Sequence, residues 1–383
     1  MPPIRVLHLA RIINRNDFID TIVRYLPRDR FSLEVATFDR KAPIAPPMYE
    51  EVGIPHHLIP VRHMRAYPSY VLAAFKLRSL LKKRQIQILH THHYWEGIVG
   101  ALAKLLYPPV KFILHRHYTE DITRITGIKN KVLLKLELFS HKMADKIIVS
   151  TNTMKKFIES FYNTSKLPPI EVIPYGFAFQ EYKYYPPSPV ERERVRREMG
   201  ISESTVVIAN LGTHRQLKNQ IMLLKAFSRL YKENLPVGLW FIGEGPDTKM
   251  LQQFAQEREI PVTFFGWKKA EEVRLLVGAA DIIAHTSYSE AFPQVMVEAL
   301  ALERALVITA VSGAQDWLRH REHAWLIPVG DENALYEGLR TLISSPETRH
   351  RLGTAGALHV KELFEHHRVN SLYAELYESL CSL

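Results

Sequence analysis

In the stretch SYSEAFPQVMVEAL, residues 287–300, two carboxylates, Glu290 and Glu298, stand with seven residues between them. A carboxylate accepts two hydrogen bonds at fixed geometry, so it holds sugar hydroxyls well. Phe292-Pro293 separates the pair, and Pro293 suits the first position of a helix that runs on through the apolar residues after it. The first amides of that helix, around Gln294 to Met296, lack intrahelical partners and carry the positive end of its dipole. Such an end accepts an anion and suits a diphosphate. Phosphate binding flanked by two hydroxyl binders has the outline of ribose, diphosphate and sugar. By itself the spacing is a weak signal, because a solvent-facing loop glutamate and another on a helix edge would give it too.

The surroundings strengthen it. In NLGTHRQLKNQ (210–220) a strand gives way to a helix, with Gly212 at the turn and Arg215 and Lys218 at the helix entry, where a diphosphate needs cations. In FFGW (264–267) Phe265 and Gly266 end a strand, and the glycine lets backbone approach a flat ligand. Five histidines, His90, His92, His93, His115 and His117, gather at the ends of two adjacent strands. A metal site is not expected from them: alternate strand residues point to opposite faces, and no Asp or Glu pair completes a shell. His90 and His115 read as packed or hydrogen-bonded inside the domain.

The elements that must position these residues form a regular rhythm. Short apolar runs (4–10, 32–38, 56–61, 86–92, 111–117, 145–151, 170–176) alternate with helical patterns such as 69–84, 97–106 and 131–143. Strand, helix, strand, repeated, implies a parallel sheet covered on both faces. The rhythm breaks at 177–202, a charged stretch with three prolines, and then restarts with runs at 205–212, 237–245, 261–267, 281–287, 305–311 and 324–328. The fold class is α/β. Two Rossmann-like, doubly wound parallel-sheet domains would face one another across a cleft, with ligands at the carboxyl ends of the strands. The boundaries read as 1–180 and 181–365.

A chain of 383 residues suits two such domains. The single cysteine, Cys381, excludes a disulfide framework and a cysteine zinc site, and fits a reducing cytoplasm. No signal peptide or membrane-spanning run is read. The net charge of +10 is uneven: residues 1–182 hold 27 Lys+Arg against 15 Asp+Glu, net +12, and the remainder hold 23 against 25, net −2. A basic first half fits an anionic membrane surface or anionic acceptor, or is ordinary solubility charge. Its helix at 69–84 carries Lys76, Arg78, Lys82, Lys83 and Arg84, with Val71, Leu72, Phe75 and Leu80 read as its apolar side. Nucleic acid is not an expected partner, since no aromatic platform is interleaved with those charges.

In combination these pieces resemble the retaining glycosyltransferases of family 4, which have the GT-B fold. The matching stretches of the C-terminal half, in the family's order, are LG-x5-KNQ, FIGEGP, VTFFGW, AADIIAHTSYSEAFPQVMVEALAL and HAWLIPVGD. QILHTHHYWEGIVGALAKLL, FILHRHYTED and DKIIVSTNTMKKF followed by IEVIPYGF carry the likeness through the N-terminal half. The resemblance implies that Lys218 stabilises a leaving diphosphate, Glu298 binds the ribose and Glu290 the donor sugar. It puts the Phe292 and Gln294 amides near sugar and phosphates, the base by Phe265 and Gly266, and His117 toward the sugar. It further implies a nucleotide-sugar donor as substrate, no cofactor and no metal, a glycan or lipid-linked acceptor, and a final helix, about 366–383, packed back on the first domain. The enzyme would be cytoplasmic or peripheral on the inner membrane face. This chain departs from the family pattern in three places: Thr213 replaces the usual arginine, which Arg215 would then supply; the first loop, ARIINRNDFID (10–20), has no glycine, leaving Arg11 or Asn14 to fill the space; and LERALVIT replaces the turn after the second glutamate. Two alternatives stay open: another enzyme on the same architecture, such as a nucleotide-sugar epimerase or a phosphorylase, and a nucleotide-sugar-binding protein that has lost turnover.

Overall fold

The computed structural model describes residues 2–11, 18–38, 51–61, 67–118, 128–162 and 167–382. The chain divides into two compact units, Met1–Phe177 with Phe364–Leu383, and Ala178–Leu363. Asn14 lies outside the described residues.

In the first unit the strands β1 (Ile4–Ala10), β2 (Phe31–Thr37), β3 (His56–Leu58), β4 (Ile88–His92), β5 (Lys111–Arg116), β6 (Lys146–Val149) and β7 (Ile170–Val172) form one sheet, in the order β3-β2-β1-β4-β5-β6-β7. Every pairing is parallel. Its central strands bury both faces, with apolar residues through their middles and polar ones gathered toward their ends. Leu7, Leu9, Leu89 and Phe112 pack on one face with Leu77 and Leu81 of α2 (Tyr67–Arg84), after α1 (Phe18–Tyr25). Val6, Ile88, Ile113 and Ile148 pack on the other with Val369, Tyr373 and Tyr377 of the chain's last helix, His366–Cys381. Each such side chain contributes roughly 1.5–3 kcal/mol by leaving water. The helices α3 (Tyr94–Leu106), α4 (Ile128–Met143) and α5 (Asn152–Tyr162) complete the unit.

The core side of α2 differs from the sequence reading. Tyr70, Ala73, Ala74, Leu77 and Leu81 face inward, while Val71, Leu72 and Phe75 are about half exposed. Two alanines allow close approach to the sheet, so the bulky residues beside them are left outside.

The second unit opens with α6 (Pro189–Glu198), whose start is fixed by a capping box: Ser188 accepts from the Glu191 amide, and Glu191 accepts from the Ser188 amide. The strands β8 (Val206–Leu211), β9 (Val237–Ile242), β10 (Val262–Phe264), β11 (Ile282–His285), β12 (Ala305–Thr309) and β13 (Trp325–Ile327) form a second parallel sheet, ordered β10-β9-β8-β11-β12-β13. Around it lie α7 (Gln220–Lys232), α8 (Thr248–Glu257), α9 (Ala270–Ala279), α10 (Gln294–Ala301), α11 (Ser312–Gln315), α12 (Glu332–Ser344) and α13 (Pro346–Phe364). Strand order reverses between β1 and β4 in the first sheet and between β8 and β11 in the second. In doubly wound sheets the crevice beyond the strand ends at that point receives the ligand.

Candidate active site

At the reversal point of the second sheet, β8 is followed by Gly212, whose φ of +141° favours glycine. The turn is tied to the loop after β9: His214 N–H donates to the Glu244 carbonyl (3.2 Å) and Asp247 N–H to the His214 carbonyl (3.1 Å). A single 3-10 turn, Gln216–Lys218, follows, and Asn219 at φ +50° bends the chain into α7. The segment after β11 is sewn to that turn. The Thr286 hydroxyl donates to the Lys218 and Asn219 carbonyls (3.0 Å each), the Ser287 hydroxyl to the Leu217 carbonyl (3.0 Å), and Tyr288 N–H to the same carbonyl (2.8 Å).

These bonds bring Lys218 and Glu290, distant in sequence, into an ion pair through Glu290 Oε1. His285 Nε2 reaches the same oxygen at 3.0 Å. The Glu290 backbone is fixed as well, its carbonyl accepting from the Ser312 hydroxyl (2.9 Å) and from Gly313 N–H (3.2 Å). Gly313 is required for that approach: a Cβ there would lie 2.5 Å from Pro293 Cδ. Burial alone would lift the Glu290 carboxyl, but the His285 hydrogen bond and the Lys218 charge outweigh it and hold the group at about 2.

Glu298 lies in the second turn of α10, half-buried, and its carboxylate makes no hydrogen bond or ion pair among the described residues. Burial pushes its carboxyl up, against the opposing charges of Lys183 and Lys218. The helix begins one residue later than its sequence suggests, with Pro293 as N-cap and Gln294 as first residue. Met296 is also not open, because its N–H donates to the Pro293 carbonyl at 3.0 Å. The amides of Gln294 and Val295 make no hydrogen bond among the described residues. Phe292 and Pro293 are buried and form wall rather than rim. Gly266, at φ +66°, accepts from Gly243 N–H (2.9 Å), and the half-buried Phe265 ring stands edge-on to Trp240. Arg215 is exposed and lines a small hollow of about 160 Å³ with Asn219, Asp247, Met250 and Tyr288, a lining that includes none of Lys218, Glu290 and Glu298.

The carboxyl edge of the first sheet is built of histidines. The expectation that strand pleating would separate them fails on register. His90 and His92 are two residues apart, so they share a face, and pairing sets His8 beside His90 and His115 beside His92. His8 Nδ1 lies 3.0 Å from His92 Nε2, and His92 Nδ1 lies 3.1 Å from His117 Nε2. His117 Nδ1 meets the Tyr175 hydroxyl at 2.7 Å, and His90 Nδ1 meets that of Tyr377 at 2.7 Å. Both ring nitrogens of half-buried His117 are thus engaged within its own unit. Burial lowers the pKa of all of these histidines, His8 to about 3, so they are neutral. Glu96, buried at the start of α3, is lifted by burial to about 7 in spite of Arg11.

The sequence reading missed His285, His8, Tyr175, Tyr377 and Glu96. The only sequence signal for His285 was its place at the end of a strand preceding the loop of Glu290.

Two family models match, and between them they cover most of the chain: "Glycosyltransferase Family 4" over residues 17–180 and "Glycosyl transferases group 1" over residues 191–359. The chain belongs to this family of glycosyltransferases and is a hexosyltransferase-type enzyme of the GT-B fold. Among curated relatives it is similar to the N-acetyl-alpha-D-glucosaminyl L-malate synthase of Bacillus anthracis, 25% identical over 81% of this chain and 80% of that one. It is also similar to the D-inositol 3-phosphate glycosyltransferase of Corynebacterium urealyticum, 27% identical over 81% and 76%. Among solved structures the fold is shared with HepE of Anabaena, crystallised with UDP and glucose (TM-score 0.80, 19% identity, 98% of this chain and 100% of that chain). It is shared too with a sucrose-phosphate synthase of Thermosynechococcus elongatus (TM-score 0.83, 18% identity, 99% of each).

Proposed function

We propose that this enzyme transfers a hexose from a UDP- or GDP-sugar to a glycan or lipid-linked acceptor with retention of configuration, and that the second unit holds the donor. The observation that carries this reading is the Lys218–Glu290 pair beside an uncommitted Glu298 at the reversal point of the second sheet. Glu298 accepts the ribose hydroxyls, the Gln294 and Val295 amides and Lys218 take the diphosphate, and Glu290 takes a sugar hydroxyl. Phe265 and Gly266 face the base. The complexes of HepE with UDP support uracil as that base.

Lys218 and the helix dipole stabilise charge that develops on the departing diphosphate, a gain realised mainly in the transition state. The bond from the anomeric carbon to the phosphate oxygen breaks as the acceptor oxygen bonds to the same face. The acceptor's proton passes to the departing phosphate oxygen. No metal is required by this scheme. Arg215 lines a different hollow, so the place of the arginine replaced by Thr213 is left to Lys218 and the amides. The first unit receives the acceptor beside Glu96 and the histidine edge, and His117 closes that edge through its ring rather than through a free N–H. Val71, Leu72 and Phe75, exposed on α2 ahead of Lys76, Lys82 and Lys83, meet an anionic membrane carrying the acceptor. Within the described residues no helix is long and apolar enough to cross a membrane.

Incubation of UDP- and GDP-hexoses with glycan and lipid-linked acceptors tests the reading through release of the nucleoside diphosphate and the linkage of the product. Release from one nucleotide class, with an alpha-linked product from an alpha-linked donor, is expected. A beta-linked product would contradict retention, and absence of release from every donor would favour a binding protein without turnover.

A further inference from the structure

Oxygen Oε1 of Glu290 receives two donors from separate backbone elements, the ammonium of Lys218 from the 216–218 turn and Nε2 of His285 from the end of β11. Among the described residues no donor reaches Oε2. An ionised carboxylate only accepts hydrogen bonds, so His285 must carry its proton on Nε2. Its Nδ1 is buried without a hydrogen-bond partner, which this tautomer permits because that atom then has no proton to place.

The two donors differ in freedom. Lys218 is a flexible stem with a partly exposed head, and an arriving diphosphate offers it a more highly charged partner. His285 is 2% exposed, sits in a central strand paired to β12 and cannot follow. We propose that His285 is the positioning residue of the donor site: it holds Glu290 Oε1 while Lys218 turns to the leaving diphosphate, so that Oε2 stays presented to a hydroxyl of the donor sugar. This inference rests on the donor-site reading above. The groups facing the Glu290 carboxylate are Lys218 from the 3-10 turn and His285 from β11, so removal of His285 leaves one mobile cation to keep it ionised.

The test compares His285→Leu and His285→Gln with the wild-type protein in steady-state turnover across pH. Loss of a hydrogen bond to a charged group predicts a fall in kcat of about tenfold or more for His285→Leu, with the acid limb of the pH profile moved upward. His285→Gln, whose amide restores an N–H at similar reach, is expected to recover most of kcat and the original limb. Unchanged kcat and pH profile in His285→Leu would overturn the proposal, and so would equal impairment of both variants at wild-type melting temperature. Nitrogen-15 spectra of histidine-labelled wild-type protein give a readout independent of turnover and of the variants' folding: Nε2–H is expected for His285, and Nδ1–H would overturn the bond. Absence of any wild-type turnover would defeat the donor-site reading itself, while the imidazole spectrum still decides the hydrogen bond.

Discussion

The carboxyl edges of the two sheets treat buried polar groups in opposite ways. At the second, charges are paired but not exhausted: Lys218 and His285 occupy one oxygen of Glu290, and Glu298 has no partner among the described residues. At the first, imidazoles are neutral and bonded to one another and to two tyrosines. Burial alone therefore does not mark a reacting site. A site that exchanges charge with a ligand keeps ionised acceptors in reserve, whereas the first edge holds neutral rings, with His90 Nε2 left without a hydrogen bond among the described residues.

Acidification should separate the two edges most strongly. The lowered histidines take up no second proton in the folded state, whereas in the unfolded chain they gain one below about pH 6.5. Their stability is therefore complete above that pH and falls as pH drops toward the folded values, by up to about 1.4 kcal/mol per pH unit for each histidine. Hydrogen exchange at pH 5 and 7.5 checks this: β1, β4 and β5 should lose protection at pH 5 before β8 and β11 do. Equal loss in both sheets would break the contrast.

Next in size is the buried ion pair of the first unit. Arg116 meets Glu137 at 3.0 Å, and Tyr118 and Tyr162 donate to the same carboxylate. Arg116→Met leaves that carboxylate buried with its cation gone and should cost about 3–5 kcal/mol in denaturant unfolding. Lys218→Ala should instead leave stability within about 1 kcal/mol, as expected for a partly exposed pair, and lower kcat by about 10²–10³. Smaller still, Glu298→Gln keeps the shape but weakens acceptance from ribose, so the Kd for the nucleoside diphosphate should rise about tenfold by calorimetry. A stability loss for Lys218→Ala as large as that of Arg116→Met would make its site part of the core.

Much of the architecture was legible because strands buried on both faces write themselves as apolar runs, and both parallel sheets follow from their alternation with helices. The direction of α2 was not, since Val71, Leu72 and Phe75 looked like core until the small Ala73 and Ala74 were seen to take the sheet. Lys218, Glu290 and Glu298 stood out through residue type and their place at strand ends. His285 did not, because its meaning depends on a lysine brought near only by the bonds of Thr286, Ser287 and Tyr288. The histidine edge was visible in composition but misjudged in geometry, because strand register alone sets His8 beside His90 and His115 beside His92. The opening amides of α10 were read one too many, since a 3-10 bond within the first turn takes Met296.

Whether the second edge binds the donor is decided by the thermal shift of wild-type, Lys218→Ala and Glu298→Ala proteins with UDP, GDP and ADP. A ligand that binds only the folded state raises the melting temperature by mass action. The predicted result is a rise with one nucleotide in the wild-type protein that is lost in both variants. A rise that persists undiminished in both, or its absence with every nucleotide, would contradict a donor site built on Lys218 and Glu298.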